Sequence, residues 1–278
     1  QQGVADIANS HIGYSPGRFP VSEALDLPLG YPSGWVGSHV ALDFINKYKP
    51  KEWEKLHLLV LHAGTTAGLE TRNKRITKLE DVKGLTLRGA GEVAEAINAL
   101  GATARDIPMV EMYDAVSKGV VDGTLVGIET LQNWNMADVC GECTFAWQVG
   151  NMYTFYIAMN LEKWNSMPKD IQKIFTEVSE EYNEKFALKW NELDVNSINY
   201  AISKGIDVIV LSETEGQRFR DAVQPVMANY VKDMVAAGYD KSEVEGWLKY
   251  IKERIAYWLD QETKRNIQSP MELKLPTG

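Results

Sequence analysis

The run Leu79-Glu80-Asp81-Val82-Lys83-Gly84-Leu85-Thr86-Leu87-Arg88-Gly89-Ala90-Gly91 packs a helical turn, a strand and a helix start into one short stretch. Gly84 stops the turn, Leu85–Arg88 reads as a strand, and the glycine turn after Arg88 opens onto a helix over Val93–Leu100, closed by Gly101. Downstream the unit recurs: a strand over Thr103–Ile107, a helix from Pro108 to Lys118-Gly119, and a strand over Thr124–Val126 after Val121-Asp122-Gly123. Upstream, Leu56–Leu61 has the near-continuous apolar character of a strand buried on both faces. Before it, Val40–Tyr48 carries helical spacing that Lys49-Pro50 ends, and Val4–Ala8 reads as a first strand. Strict alternation of this kind predicts a mainly parallel sheet with helices on both faces.

Farther along, Tyr153–Met159 is one more strand. From Pro168 to about Ser203 the pattern becomes a single helix, with Ile171, Ile174, Phe175, Val178, Tyr182, Phe186 and Trp190 at steps of three and four. A helix of that length reaches across more than one sheet. Ile206–Leu211 then reads as a strand, Ser212-Glu213-Thr214-Glu215 as a capping box, and Val244 to about Lys264 as a terminal helix. Trp247, Leu248, Ile251, Ile255 and Leu259 give that helix an apolar face, to be packed on its own chain or used as a dimer contact.

At 278 residues and 45% hydrophobic, the chain is long enough for two modest cores. Runs such as Leu58-Leu59-Val60-Leu61 fall far short of the roughly 18 apolar residues that span a bilayer. A net charge of −9 repels phosphate backbones, and no basic stripe with interleaved aromatics occurs, so nucleic acid is not an expected partner. Gln1-Gln2-Gly3 opens directly onto the first strand, as in a processed or truncated chain.

Enzyme signatures fail one by one. His57 and His62 lie five apart on a strand and are expected on opposite faces. No His-Glu-X-X-His, Gly-X-Ser-X-Gly or phosphate-loop motif occurs. Gly89-Ala90-Gly91 resembles a dinucleotide turn, but Ala94 replaces the third glycine and no acid closes a following strand at the right distance. No metal or cofactor site is read. Cys140 and Cys143 are too few for a four-thiolate zinc site and suit a structural pair, reduced or bridged, or inert thiols, better than redox chemistry. Arg88 remains: an arginine at a strand's carboxyl end beside a helix N-terminus suits a carboxylate. The competing reading is a surface arginine paired with Glu92 or another acid.

From Gly3 to about Tyr230 the chain resembles the solute-binding proteins of TRAP (tripartite ATP-independent periplasmic) transporters. The carrying residues are Gly3-Val4-Ala5-Asp6-Ile7, Asp26-Leu27-Pro28, the run Leu79–Arg88, Ala99-Leu100-Gly101-Ala102, Glu111-Met112-Tyr113, Gly119-Val120-Val121-Asp122-Gly123 and Asn160–Pro168. The resemblance implies an α/β protein of the two-lobed periplasmic-binding type, each lobe a mixed sheet flanked by helices, with the long helix bridging them. Residues 1–65 with 153–190 would form one lobe, 66–152 with 191–238 the other, and 239–278 a C-terminal helical extension. It also implies a periplasmic location, no catalysis, a small organic acid as ligand and TRAP membrane subunits as partners. Arg88 matches the family arginine that pairs with the ligand carboxylate.

Two departures accompany it. The family's usual opening strand–helix–strand segment is not found before Gly3. The family often follows Val-Asp-Gly with Gln-Glu-Asn-Pro, whereas this chain has Thr124-Leu125-Val126-Gly127, so the asparagine contact is lost and the ligand is expected to differ from dicarboxylates and sialic acids. Aromatics near the matched positions offer a replacement. Trp134, Trp35 and Tyr14 are candidate walls, each with core or lobe packing as its alternative. Glu129 is a candidate acceptor for a ligand amine or hydroxyl, Tyr153 a candidate hydroxyl donor, and His11 is grouped with them. The expected ligand is an aromatic or indole-like monocarboxylate, with an aliphatic 2-oxo or amino acid as the alternative.

Overall fold

A computed structural model describes residues 5–278. Strand β1 (Ile7–His11) is followed by helix α1 (Gly34–Tyr48) and strands β2 (Leu56–Ala63), β3 (Ala67–Thr71) and β4 (Thr86–Arg88). Helix α2 (Glu92–Ala99), strand β5 (Thr103–Arg105), helix α3 (Met112–Ser117), strand β6 (Gly123–Gly127) and the short helix α4 (Thr130–Asn133) come next. Strands β7 (Glu142–Phe145) and β8 (Thr154–Asn160) lead through α5 (Leu161–Ser166) into the long helix α6 (Lys169–Ser203). Strand β9 (Asp207–Val210) and helices α7 (Glu213–Ala222), α8 (Gln224–Ala236) and α9 (Lys241–Lys264) complete the order. Val4, read from sequence as the start of the first strand, lies outside the described residues.

The strands form two sheets. The first has the order β1-β8-β2, antiparallel throughout its described strands; the second has the order β5-β4-β6-β3-β7-β9. In the second, β4 runs parallel to β5 and β6, and β7 parallel to β9, while β3 is antiparallel to both neighbours. The expectation of a mainly parallel arrangement is thus corrected to a mixed one. The cause is β3: Ala67-Gly68-Leu69-Glu70-Thr71 lacks a strand-like apolar run, yet all five residues are buried and Gly68–Thr71 are paired on both sides. The chain crosses from one sheet to the other between Ala63 and Ala67, returns between Phe145 and Thr154, and crosses again along α6, which packs against both β2 and β9.

Register irregularity overturns another expectation. A bulge between Leu58 and Val60 shifts the β2–β8 pairing, so His57 opposes Met159 and His62 opposes Phe155. Those partners are four apart on β8, which puts both histidines on one face. His57 stacks on Trp164, and His62 stacks on Phe186 of α6.

The main core runs from Trp35, Val36, Val40 and Phe44 of α1, through Leu61 and Tyr156, to Leu87, Ile97 and the inner faces of α8 and α9. Val244, Trp247, Leu248, Ile251 and Ile255 of α9 are buried in it, so the terminal helix spends its apolar face on its own chain. No helix among the described residues is long and apolar enough to cross a membrane. Cys140 and Cys143 are buried free thiols, and burial pushes both thiol pKa values up, which suppresses the reactive thiolate.

Candidate functional site

Where the two sheets face each other they enclose a cavity of about 300 Å³. The first sheet and its loops supply His11, Tyr14, Asp26, Asn151, Tyr153 and Phe155. The second supplies Arg88, Glu92, Val126, Glu129 and Trp134, and α6 contributes Trp190. Arg88 closes β4 and Gly127 closes β6, so the cavity lies at strand carboxyl ends.

Arg88 is buried at 7% exposure and makes no ion pair among the described residues. Its Nε donates to the carbonyl of Ile107 at 2.9 Å, which orients the guanidinium fork, and its own carbonyl accepts from Thr124 Oγ1 at 3.1 Å. The turn after it favours glycine, because Gly91 takes a φ of +56° and a Cβ on Gly89 would press on Ile97 of α2. Among the residues lining the cavity, Arg88 is the one arginine or lysine. A buried cation of this kind is costly without an anion.

The other titratable groups are mostly acids. His11 Nε2 lies 2.9 Å from Asp26 Oδ2, without hydrogen-bond alignment. Asp26 Oδ1 accepts from the backbone N–H of Thr154 at 2.9 Å and from its hydroxyl at 2.6 Å. At the edge, burial and the neighbouring Glu95 push Glu92 up to about 7. Glu129 is 8% exposed, and burial, reinforced by Asp194 and Glu70, holds its carboxyl well above the usual carboxylate range. No group of three or more His, Cys, Asp and Glu side chains among the described residues is arranged to hold a metal ion.

Rings line much of the remainder. His11 lies 5.6 Å from Tyr153 and 5.2 Å from Phe155, and Phe155 stacks on Trp190 at 6.0 Å between centroids. Trp134 is 38% exposed and Tyr14 68%. Burial raises the Tyr153 phenol, so it stays protonated and can donate.

The family model for bacterial extracellular solute-binding proteins, family 7 (DctP), matches residues 1–233. This chain belongs to that family. Its members are solute-binding proteins and not enzymes. The chain superposes on a TRAP periplasmic solute-binding protein from Desulfovibrio salexigens with a TM-score of 0.82 and 31% identity, covering 92% of this chain and 79% of that one. A TRAP solute-binding protein from Rhodoferax ferrireducens, in complex with copurified benzoate, gives a TM-score of 0.83 at 25% identity, covering 93% of this chain and 81% of that one. A solute-binding protein from Albidiferax ferrireducens is 24% identical over 234 residues, covering 80% of this chain. The chain spans 66% of that relative's length.

In this family member, six of the seven residues singled out by sequence meet at one cavity: Arg88, Trp134, Glu129, Tyr14, Tyr153 and His11. Trp35 does not, and its reading as a ligand wall is corrected. Ser33 caps α1 by accepting from the Val36 N–H at 3.1 Å, so the helix starts at Gly34 and Trp35 falls in its first turn. There the ring is fully buried, donates from Nε1 to Glu184 at 2.9 Å, and packs edge-on to His39 and Trp258. Among the lining residues that sequence reasoning passes over, four stand out. Asp26 lies inside a family-matched run, Asn151 and Phe155 flank Tyr153, and Trp190 reads as packing because it continues the periodic face of α6.

Proposed function

We propose that this chain is the periplasmic capture component of a TRAP transporter, closing its two lobes over an aromatic monocarboxylate and passing it to the membrane subunits. The observation that carries the reading is a buried arginine without an ion-pair partner in a ring-lined cavity of about 300 Å³. That size is at the lower end for small-molecule sites, where pockets run from roughly 300 to 1,000 Å³. One guanidinium orients one carboxylate through a two-pronged contact. A second ligand carboxylate would find no second arginine or lysine, only Asp26, Glu92, Glu129 and a His11 already held against Asp26, which argues against dicarboxylates. Trp134, Trp190 and Phe155 suit a flat apolar body. The benzoate found with the Rhodoferax relative supports the same ligand class.

The whole ligand could reach micromolar affinity, about −8 kcal/mol, with one charged clamp and one stacked ring. Capture followed by hinge closure is a known repertoire of two-lobed binding proteins. Calorimetric titration with benzoate, indole-3-acetate and succinate tests the proposal. Binding of the aromatic acids with succinate at least about tenfold weaker supports it. Tight succinate binding without aromatic binding would end it.

A further inference from the structure

Glu129 is held in a way that the capture of a simple carboxylate does not require. Its backbone is fixed from two sides: Ser197 of α6 donates to its carbonyl at 3.0 Å, and its own N–H donates to Thr65 Oγ1 at 3.4 Å. Beneath it the packing is tight, since any Cβ on Gly127 would collide with Thr65. The side chain lines the same cavity as Arg88, yet Oε2 is shut away from solvent and has no hydrogen-bond partner among the described residues. An unpartnered buried carboxyl oxygen is expensive to keep.

The groups around Glu129 are arranged against its ionisation. Glu70 on β3 is fully buried, and its Oε1 accepts from Thr130 at 2.8 Å. Asp194 on α6 is fully buried and accepts from the Thr65 hydroxyl, from the Thr66 N–H at 3.1 Å and from the Thr66 hydroxyl at 2.9 Å. Those three bonds favour the charged form of Asp194, although burial brings its pKa up to about 7. On the cavity side stand the phenol of Tyr153, the Arg88 guanidinium, and the His11–Asp26 pair. No cation pairs with Glu129 and no donor reaches its carboxyl among the described residues, whereas Asp194 has three donors, so burial keeps the proton on Glu129; the same burial raises Glu70.

We propose that Glu129 is a specificity residue that donates a hydrogen bond from its carboxyl to an uncharged oxygen of the bound acid. The assignment rests on the reading of the cavity as a carboxylate site and narrows it: the ligand class becomes aromatic acids bearing a carbonyl or hydroxyl in addition to the carboxylate on Arg88. A carboxylic acid proton satisfies such an oxygen, whereas an ammonium group would meet a donor and only the weaker carbonyl acceptor of a neutral acid. Under this proposal Glu129 donates, where the sequence reading has it accept from a ligand amine or hydroxyl.

Four probes that differ at one carbon test this: phenylacetate, mandelate, benzoylformate and phenylglycine, titrated calorimetrically near neutral pH. Mandelate or benzoylformate should bind about tenfold or more tighter than phenylacetate, the worth of one good hydrogen bond, with phenylglycine weakest. Glu129→Gln, which keeps an N–H donor, should preserve that order, whereas Glu129→Ala should erase the advantage over phenylacetate while phenylacetate itself still binds. Phenylglycine binding best, and losing most in Glu129→Gln, would overturn the donor role and leave the carboxylate reading intact. Failure of all four acids to bind would overturn the carboxylate reading and this assignment with it. A ligand-free arm follows isotope-labelled glutamate carboxyl carbons by NMR through a pH titration, with Glu129→Gln assigning the signal. A protonated Glu129 near neutral pH supports the assignment, and an ionised one overturns it.

Discussion

The two walls of the cavity are built from different chemistry. The wall from the six-stranded sheet carries the charge-bearing side chains Arg88, Glu92 and Glu129 at or just beyond strand ends. The wall from the three-stranded sheet carries His11, Tyr14, Tyr153 and Phe155, with its one acid, Asp26, tied to His11 and Thr154. Charge recognition needs a rigid, dry setting, because a guanidinium or carboxyl only discriminates when water cannot substitute. Ring recognition needs area, and rings on an opposing wall supply it when the lobes meet. On the proposed function, the first wall fixes the ligand's head and puts Trp134 against its body, and the second wall covers the rest of that body.

Breaking the charged wall should have the largest effect. Arg88→Ala should weaken benzoate binding by about 100-fold, as expected when a two-pronged charged contact is lost, measured by calorimetry. Arg88→Lys should recover only part of it, since an ammonium cannot form the fork. Damage to the ring lining should cost less. Trp134→Ala should weaken benzoate by roughly tenfold, in keeping with about 1 kcal/mol for a stacked pair beyond simple burial. Glu92 sharpens the contrast through pH. With its carboxyl at about 7, it is mostly neutral at lower pH and ionised above, where it repels an anionic ligand. Affinity for benzoate should therefore fall a few-fold from about pH 6 to about pH 8, and Glu92→Gln should flatten that profile. Smallest of all, Trp35→Phe should leave benzoate affinity unchanged while lowering thermal stability by about 1 kcal/mol, through loss of the bond to Glu184.

Trp35 and Trp134 show what sequence can and cannot convey. Both stand near family-matched runs and invite the same reading. Trp134 follows a four-residue helix and stays part-exposed at the cavity, whereas Trp35 is drawn into α1 by the Ser33 cap. The signal is present, as Ser33 precedes the apolar positions Trp35, Val36, Val40 and Phe44, but the glycines at 34 and 37 conceal it. Gly37 sits against Met152 and Ala63, so close packing and not looseness explains that glycine.

Arg88 is legible because the strand, turn and helix start that place its backbone lie within one short run, although the Ile107 carbonyl that orients its fork does not. The long helix is legible in extent for the same reason, spanning Lys169–Ser203 against an expected end near Ser203. Partners set by distant pairing are not. The direction of β3 depends on β6 and β7, and the shared face of His57 and His62 on a bulge against β8. Trp190 belongs to a periodic stripe whose N-terminal members, such as Ile174 and Val178, are exposed, while Trp190 itself stacks on Phe155 in the cavity lining. Periodicity reports a face and leaves open what the face meets.

The most direct test is a crystal structure of the protein grown with benzoate. The carboxylate should sit on the Arg88 guanidinium, with the ring against Trp134, Trp190 and Phe155 and the lobes closed over it. A benzoate bound elsewhere, or an Arg88 turned out to solvent beside an empty cavity, would contradict the account.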